Sequence, residues 1–289
     1  MSFLELLELN PAALLTVTFV FSLLVGSFLN VVIYRFPKSL EYQWTKECRE
    51  HLGEEYNEKE PPSLVWARSH CQKCKHQIKS WENIPLISFI FLRGKCSSCK
   101  TKISHRYWLV ELMTALLSVL VVYKFGWSYY SLGGIILTWF LVAIALIDFD
   151  TMLIPDQLSL PLMWLGLFAS LWGVFVDPAS SIQGALLGYL LLWSIFHLFK
   201  LVTGKEGMGY GDFKLLAAGG AWLGMKSVLV IIVMSSFAGA VLGSLFLMLN
   251  RNRENKAIPF GPYLAVGIFI TMLYGETIIL WYLGVSGLS

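Results

Sequence analysis

Residues 129–156 read YYSLGGIILTWFLVAIALIDFDTMLIPD. The first twenty, 129–148, form an apolar run that ends on Asp148, and Asp150, Pro155 and Asp156 follow at once. About twenty apolar residues are what an α-helix needs to cross a hydrocarbon layer roughly 30 Å thick. A carboxylate at the edge of such a run is costly to keep there, so it carries a functional expectation. Sixty-four positions after Asp148, a second acid closes the segment Gly209-Tyr210-Gly211-Asp212 and opens another apolar stretch. Two carboxyls that share a site divide one proton between them, which suits one as general base and the other as general acid.

The rest of the chain has the same character. Of its 289 residues, 56% are hydrophobic and 14% charged, with a mean hydropathy of +0.63. This excludes an ordinary soluble domain and predicts an all-α polytopic membrane protein. Spanning runs are expected at about 12–34, 107–124, 129–148, 158–176, 182–202, 227–249 and 262–284. A shorter run at 213–224, rich in Ala and Gly, is either an eighth span or a re-entrant piece. The stretch from Ser2 to Pro11 holds Glu5 and Glu8 and no Lys or Arg, so no cleaved signal peptide is expected.

Charge sets the orientation. Fourteen of the 22 Lys and Arg fall between Arg35 and Arg106. Lys200, Lys205, Arg251, Arg253 and Lys256 fall in later loops of the same parity when the short run is counted as a span, and only Lys124 and Lys226 fall opposite. The positive-inside rule then puts 35–106 in the cytoplasm and both termini outside, with eight spans. It also brings Asp148 and Asp212 to the same, cytoplasmic, side. The expected organisation is a first transmembrane helix in 1–34, a cytoplasmic loop in 35–106 between the first and second spans, and a transmembrane core in 107–289.

The loop carries Cys71-Gln72-Lys73-Cys74 and Cys96-Ser97-Ser98-Cys99, separated by 21 residues. Two such knuckles present four thiolates to one tetrahedral zinc, and the reducing cytoplasm disfavours disulfides. Cys71, Cys74, Cys96 and Cys99 are therefore the expected ligands of one structural zinc ion. Free thiols or a redox pair are the plainer alternatives. Cys48 has no partner motif, and His70, His76 and His105 are expected at the surface, because four thiolates already fill the site.

Each acidic motif alone has a plain explanation. Asp148, Asp150 and Asp156 could be interfacial charges at helix ends, and Asp212 could be an N-cap. Placed together on one face, with Gly207, Gly209 and Gly211 permitting close backbone approach, they favour joint chemistry. Neither a Ser/His/Asp set nor an HExxH motif is present, and the glycine-rich stretch follows no strand, so nucleotide binding is weakly supported. Glu111, inside the second span, is either a pocket residue or a hydrated interfacial one.

The motifs together resemble those of bacterial type IV prepilin peptidases, members of the GxGD intramembrane aspartyl proteases. Residues 26–35, GSFLNVVIYR, resemble the family's opening signature. So do the two CxxC knuckles, Glu82-Asn83-Ile84-Pro85 and Leu92-Arg93-Gly94-Lys95 between them, Ile154-Pro155-Asp156, Gly209 to Lys214, and Pro259-Phe260-Gly261-Pro262. The resemblance covers nearly the whole chain. It implies Asp148 and Asp212 as the catalytic pair, with Asp150 and Asp156 as neighbours. It further implies cleavage of type IV prepilins and type II secretion pseudopilins after a Gly, in the bacterial inner (cytoplasmic) membrane and at its cytoplasmic face. S-adenosylmethionine-dependent N-methylation of the new terminus is expected too, since the cysteine loop is intact, but the residues that would bind the methyl donor are not assigned. Lipid is the expected surrounding and nucleic acid is not an expected partner. The alternatives are a peptidase without the methyltransferase, an ion or solute transporter using the acids, and a non-catalytic zinc-bearing assembly subunit.

Overall fold

The computed structural model describes residues 7–64, 66–249 and 258–287. Among them there are helices and two isolated β-bridges, but no strand. The chain divides into two compact units, Met1–Trp127 and Ser128–Ser289.

The first unit is built on α1, Pro11–His51. Asn10 caps it, accepting from the Ala12 and Ala13 N–H groups at 3.1 Å, with Pro11 at the first helical position. This is the expected division of labour, since Pro lacks the N–H that a first turn cannot use. The expected span stops at 34, whereas the helix runs through Pro37 to His51. The added segment is mostly Leu, Glu, Lys, Gln and Arg, which propagate a helix well once it has started. At 41 residues the helix is about 60 Å long, roughly twice a hydrocarbon core. A short helix α2, Ile87–Phe91, precedes α3, Arg106–Phe125. Helices α1 and α3 pack closely at Gly26, where a Cβ would lie 2.7 Å from the Glu111 Cα. Asn30 Nδ2 donates to the Tyr107 carbonyl at 2.9 Å, so a polar side chain inside the span is satisfied by its neighbour.

The second unit holds α4 (Tyr129–Thr151), α5 (Asp156–Ser170), α6 (Pro178–Thr203), α7 (Tyr210–Leu223), α8 (Met225–Leu249) and α9 (Gly261–Ser286). Helix α7 is the central element, packed by α5, α6, α8 and α9 and buried almost all round from Asp212 to Leu223. Its small residues make that possible. Gly184 and Gly188 of α6 lie against the α7 backbone at Gly220 and Leu216, so any side chain there would collide with main chain. Without a solvent to drive apolar faces together, close backbone approach of this kind is what holds helices in lipid. Trp222 Nε1 adds a bond to the Leu162 carbonyl at 2.9 Å, worth about 1 kcal/mol.

Among the described residues, six helices are long and apolar enough to cross a membrane: α1, α3, α4, α6, α8 and α9. The sequence predicted eight spans, and the other two appear as the shorter helices α5 and α7, of 15 and 14 residues. Each is about 22 Å long, short of a full crossing. Helix α5 stops in a turn where Gly173 and Phe175 take φ of +68° and +65°, six residues before the expected end of that span at 176. Helix α7 stops at Gly224, φ +81°. The basic segment with Arg251, Arg253 and Lys256, on which the count of eight rested, lies outside the described residues, as does Glu5.

Candidate active site and metal centre

Asp148 occupies the last turn of α4, with one face of that helix buried along Leu141, Ile144 and Ile147. The helix then ends at Met152, whose φ of +57° turns the chain so that Pro155 can begin α5. Asp212 stands three residues past Gly209, the N-cap of α7, and so is not itself the cap. Both carboxylates are buried, at 5% and 6% exposure. Ile154 lies between the two segments, against Gly261 beside Asp148 and against Gly211 beside Asp212.

Three local features bring the two helix ends together. Gly211 sits against Ile154, where a Cβ would fall 2.6 Å from the Ile154 Cβ, so only glycine permits this approach. Lys214 Nζ bonds both carboxylate oxygens of Asp156 at 2.6 and 2.7 Å, tying the start of α5 to the start of α7. At the start of α9, the Gly261 N–H donates to Asp148 Oδ2 at 3.0 Å. Asp212 interacts with the Gly209 backbone through one side of its carboxyl, while its buried Oδ1 has no hydrogen-bond partner among the described residues. A buried oxygen left without a protein partner is a place for water or a reacting group.

Of the four acids singled out in the sequence, the fold thus buries Asp148 and Asp212 together. Asp150 and Asp156 are exposed, and Asp156 is committed to Lys214. The motif Pro259-Phe260-Gly261-Pro262 had no assigned role from sequence. Its contribution is a main-chain N–H, which leaves no mark in residue identity beyond the glycine.

In the first unit, the Sγ atoms of Cys71, Cys74, Cys96 and Cys99 all lie within 4.8 Å of one another, a cluster that could hold one metal ion. The two knuckles repeat each other. Cys71 N–H bonds the His76 carbonyl at 2.8 Å, as Cys96 N–H bonds the Thr101 carbonyl at 2.9 Å. Lys75 and Lys100, each just after the second cysteine of its knuckle, take φ of +59° and +57°. Ile78 N–H to Ser69 and Ile103 N–H to Gly94 close each loop. The thiol environments differ. Thr101, 3.2 Å from Cys99 Sγ, pulls that thiol down to about 6, and the Cys74 and Lys73 backbones lower that of Cys71. At Cys74 the pull of the His76 backbone is outweighed by burial among the other thiols, which leaves it at about 11. Cys48 is exposed and outside the cluster.

Two further groups hold this loop. Arg35, 7% exposed, donates through Nη1 to the Ser63 and Ala67 carbonyls at 2.7 and 2.9 Å. Glu111, 8% exposed, accepts from the Leu86 N–H at 3.0 Å. Glu111 is therefore a satisfied interior acid rather than a hydrated one. The role of Arg35 was not read from sequence, although a buried arginine at the end of an apolar run is the kind of signal that could have found it.

The comparisons with known proteins agree across the length of the chain. Residues 20–125 match the Bacterial Peptidase A24 N-terminal domain, and residues 135–244 match the Type IV leader peptidase family. A prepilin leader peptidase/N-methyltransferase of Pseudomonas aeruginosa is 50% identical over 288 residues, 99% of each chain. Proteins of the same description from Aeromonas hydrophila and Aeromonas salmonicida are 49% and 48% identical, each over 97% of both chains. No solved structure matches.

Proposed function

Since this chain belongs to the type IV leader peptidase family, we propose that Asp148 and Asp212 are its catalytic pair. Its two activities are removal of the leader peptide from prepilins and N-methylation of the terminus so exposed. It is an integral membrane protein. The observation that carries the assignment is the pair of carboxyls buried where the end of α4 and the start of α7 meet around Ile154, one of which presents an oxygen with no partner among the described residues.

Two carboxyls held this way share one proton. The ionised member takes a proton from water as the water attacks the scissile carbonyl. The protonated member donates to the carbonyl oxygen; the carboxyl that took the water proton then delivers it to the leaving amine as the C–N bond breaks, and the diol returns a proton to the other carboxyl. The Gly261 amide fixes Asp148, and the Lys214–Asp156 pair fixes the helix that carries Asp212. Neither device touches the peptide.

On this reading the substrate presents an apolar helix to the membrane and a basic leader to the cytoplasm, with the cut after a Gly at the cytoplasmic face of the inner membrane. Type II secretion pseudopilins share that chemistry and are included as clients. The functional division follows the charge topology: a first span to 34, a loop at 35–106 and a core at 107–289. A single structural zinc suits the four cysteines, because sulfurs 2.3 Å from a central ion stand about 3.8 Å apart. The Cys71–Cys99 and Cys74–Cys96 separations are 3.8 and 4.0 Å. S-adenosylmethionine is the methyl donor. The transporter alternative lacks support in the placement of the acids, which meet at helix ends.

The test is prepilin processing by Asp148→Asn, Asp212→Asn and Asp150→Asn side by side, read by intact mass. The first two should abolish cleavage with metal content unchanged, and the third should be mild. Activity retained in Asp212→Asn would remove the aspartyl mechanism. Loss in Asp150→Asn with full activity in Asp148→Asn would reassign the first aspartate.

A further inference from the structure

We propose that S-adenosylmethionine binds in the cavity of the first unit, enclosed by α1, α3 and the metal loop, with Glu111 and Lys38 as its charged contacts. The inference rests on the N-methyltransferase half of the proposed function and locates it. When bound, the donor supplies an electrophilic methyl group to an amine.

The cavity measures about 920 Å³, at the upper end of the range of about 300–1,000 Å³ usual for small-molecule sites. S-adenosylmethionine is a zwitterion with an extra sulfonium charge and a flat purine. It needs an anion for its cationic groups, a cation for its carboxylate, and aromatic faces. The cavity supplies each. Glu111 lines it as a buried carboxylate, held in place by the Leu86 amide. Lys38 lines it on the α1 side, its Nζ 3.7 Å from the Tyr34 ring centroid. Tyr107, Trp108 and Phe89 contribute aromatic surface, and a sulfonium is attracted to such faces as an ammonium is.

Two other charges in the wall are held by the loop itself, while Lys73, Lys75 and Lys102 add positive charge on its loop side. Arg35 holds the Ser63 and Ala67 carbonyls, and Glu82 accepts from the Lys79 N–H at 2.8 Å. Lys38, on α1 beside Tyr34, is the cation assigned to the ligand carboxylate, and Glu111, on α3, is the buried anion assigned to its cationic groups. Cys71 and Cys96 lie in the same wall, so the cysteine cluster shapes the cavity.

The experiment is equilibrium dialysis of tritiated S-adenosylmethionine with the full-length enzyme in detergent, using S-adenosylhomocysteine as competitor. Glu111→Gln and Lys38→Met are compared with wild type and with Glu276→Gln, a control on the exposed part of α9. Metal content is measured on every sample. Wild type and the control should bind about one equivalent, and the two cavity variants should bind at least tenfold more weakly while keeping their metal. Lys38 is exposed, so its variant reports on the site even if Glu111→Gln fails to fold. Cavity variants that retain metal and bind as wild type would overturn the location. A wild-type enzyme that does not bind the donor at all would overturn the methyltransferase reading together with it.

Discussion

The Gly261 amide and the Asp148 carboxylate meet at 3.0 Å although 113 residues separate them. A Cβ on Gly261 would lie 2.6 Å from the same Asp148 oxygen. The glycine therefore does two things: it donates the hydrogen bond and it leaves room for the acceptor.

Gly261→Ala should accordingly disturb catalysis more than binding. The added methyl displaces the Asp148 carboxyl from its amide. A misplacement of about 1 Å in a reacting group costs on the order of 100-fold. Single-turnover cleavage of a prepilin should fall by at least about tenfold, with the KM nearly unchanged. An alanine variant with wild-type turnover would show that this contact is dispensable.

The Lys214–Asp156 pair acts at one remove. It is half exposed on the aspartate side, so its contribution to stability should be about 1 kcal/mol or less. Asp156→Asn and Lys214→Met should each slow cleavage by roughly three- to tenfold, well short of the loss in Asp148→Asn, and their effects should not multiply, because both remove one interaction. A double-mutant cycle on the cleavage rate measures this. Fully multiplicative losses would mean the two residues act separately.

Removing the metal should separate the two activities. Cys71→Ser or Cys96→Ser should lose about one equivalent of zinc per chain and loosen the loop. Both knuckles line the proposed donor cavity, whereas the aspartates lie in the other unit. Methylation of a pre-cleaved pilin should therefore fall further than cleavage does. Comparable loss of both, with metal retained, would contradict this.

Glu82 links the loop to pH. The Lys79 N–H and Ser97, with His76 also facing it, hold its carboxyl below the ordinary glutamate range. A depressed folded-state value means stability that is present above the unfolded value, near 4.5, and is lost as pH falls through the folded one. Glu82→Gln should lower the temperature at which the loop releases zinc at pH 7, detected with a chromogenic chelator. The gap from wild type should be constant between pH 5 and 8 and narrow below about 4.5. A gap that widened on acidification would reverse the sign assigned here.

What the sequence determined by itself was the class of fold and the chemistry. Apolar run length fixes helices in a membrane, because lipid leaves backbone groups only each other to bond. Two CxxC knuckles mark four cysteines whose sulfurs the fold clusters, and two acids at apolar boundaries mark carboxyls that it buries.

Tertiary structure decided what depends on approach rather than on pattern. Helix α1 continues past Pro37 although an interior proline costs about 3 kcal/mol, because that stretch is held by packing: Arg35, Pro37 and Leu40 are buried and Arg35 bonds the Ser63 and Ala67 carbonyls. Helices α5 and α7 are too short to cross alone, and positive-φ positions at Gly173 and Gly224, not hydropathy, mark where they stop. Asp148 is buried and Asp150 exposed, a difference set by which face of α4 meets α9, and two acids two positions apart look alike in sequence. The Gly261 amide reaches Asp148 through main chain, and main-chain donors are the same at every residue. Their roles exist only once the fold has chosen which of them stands beside the carboxylate.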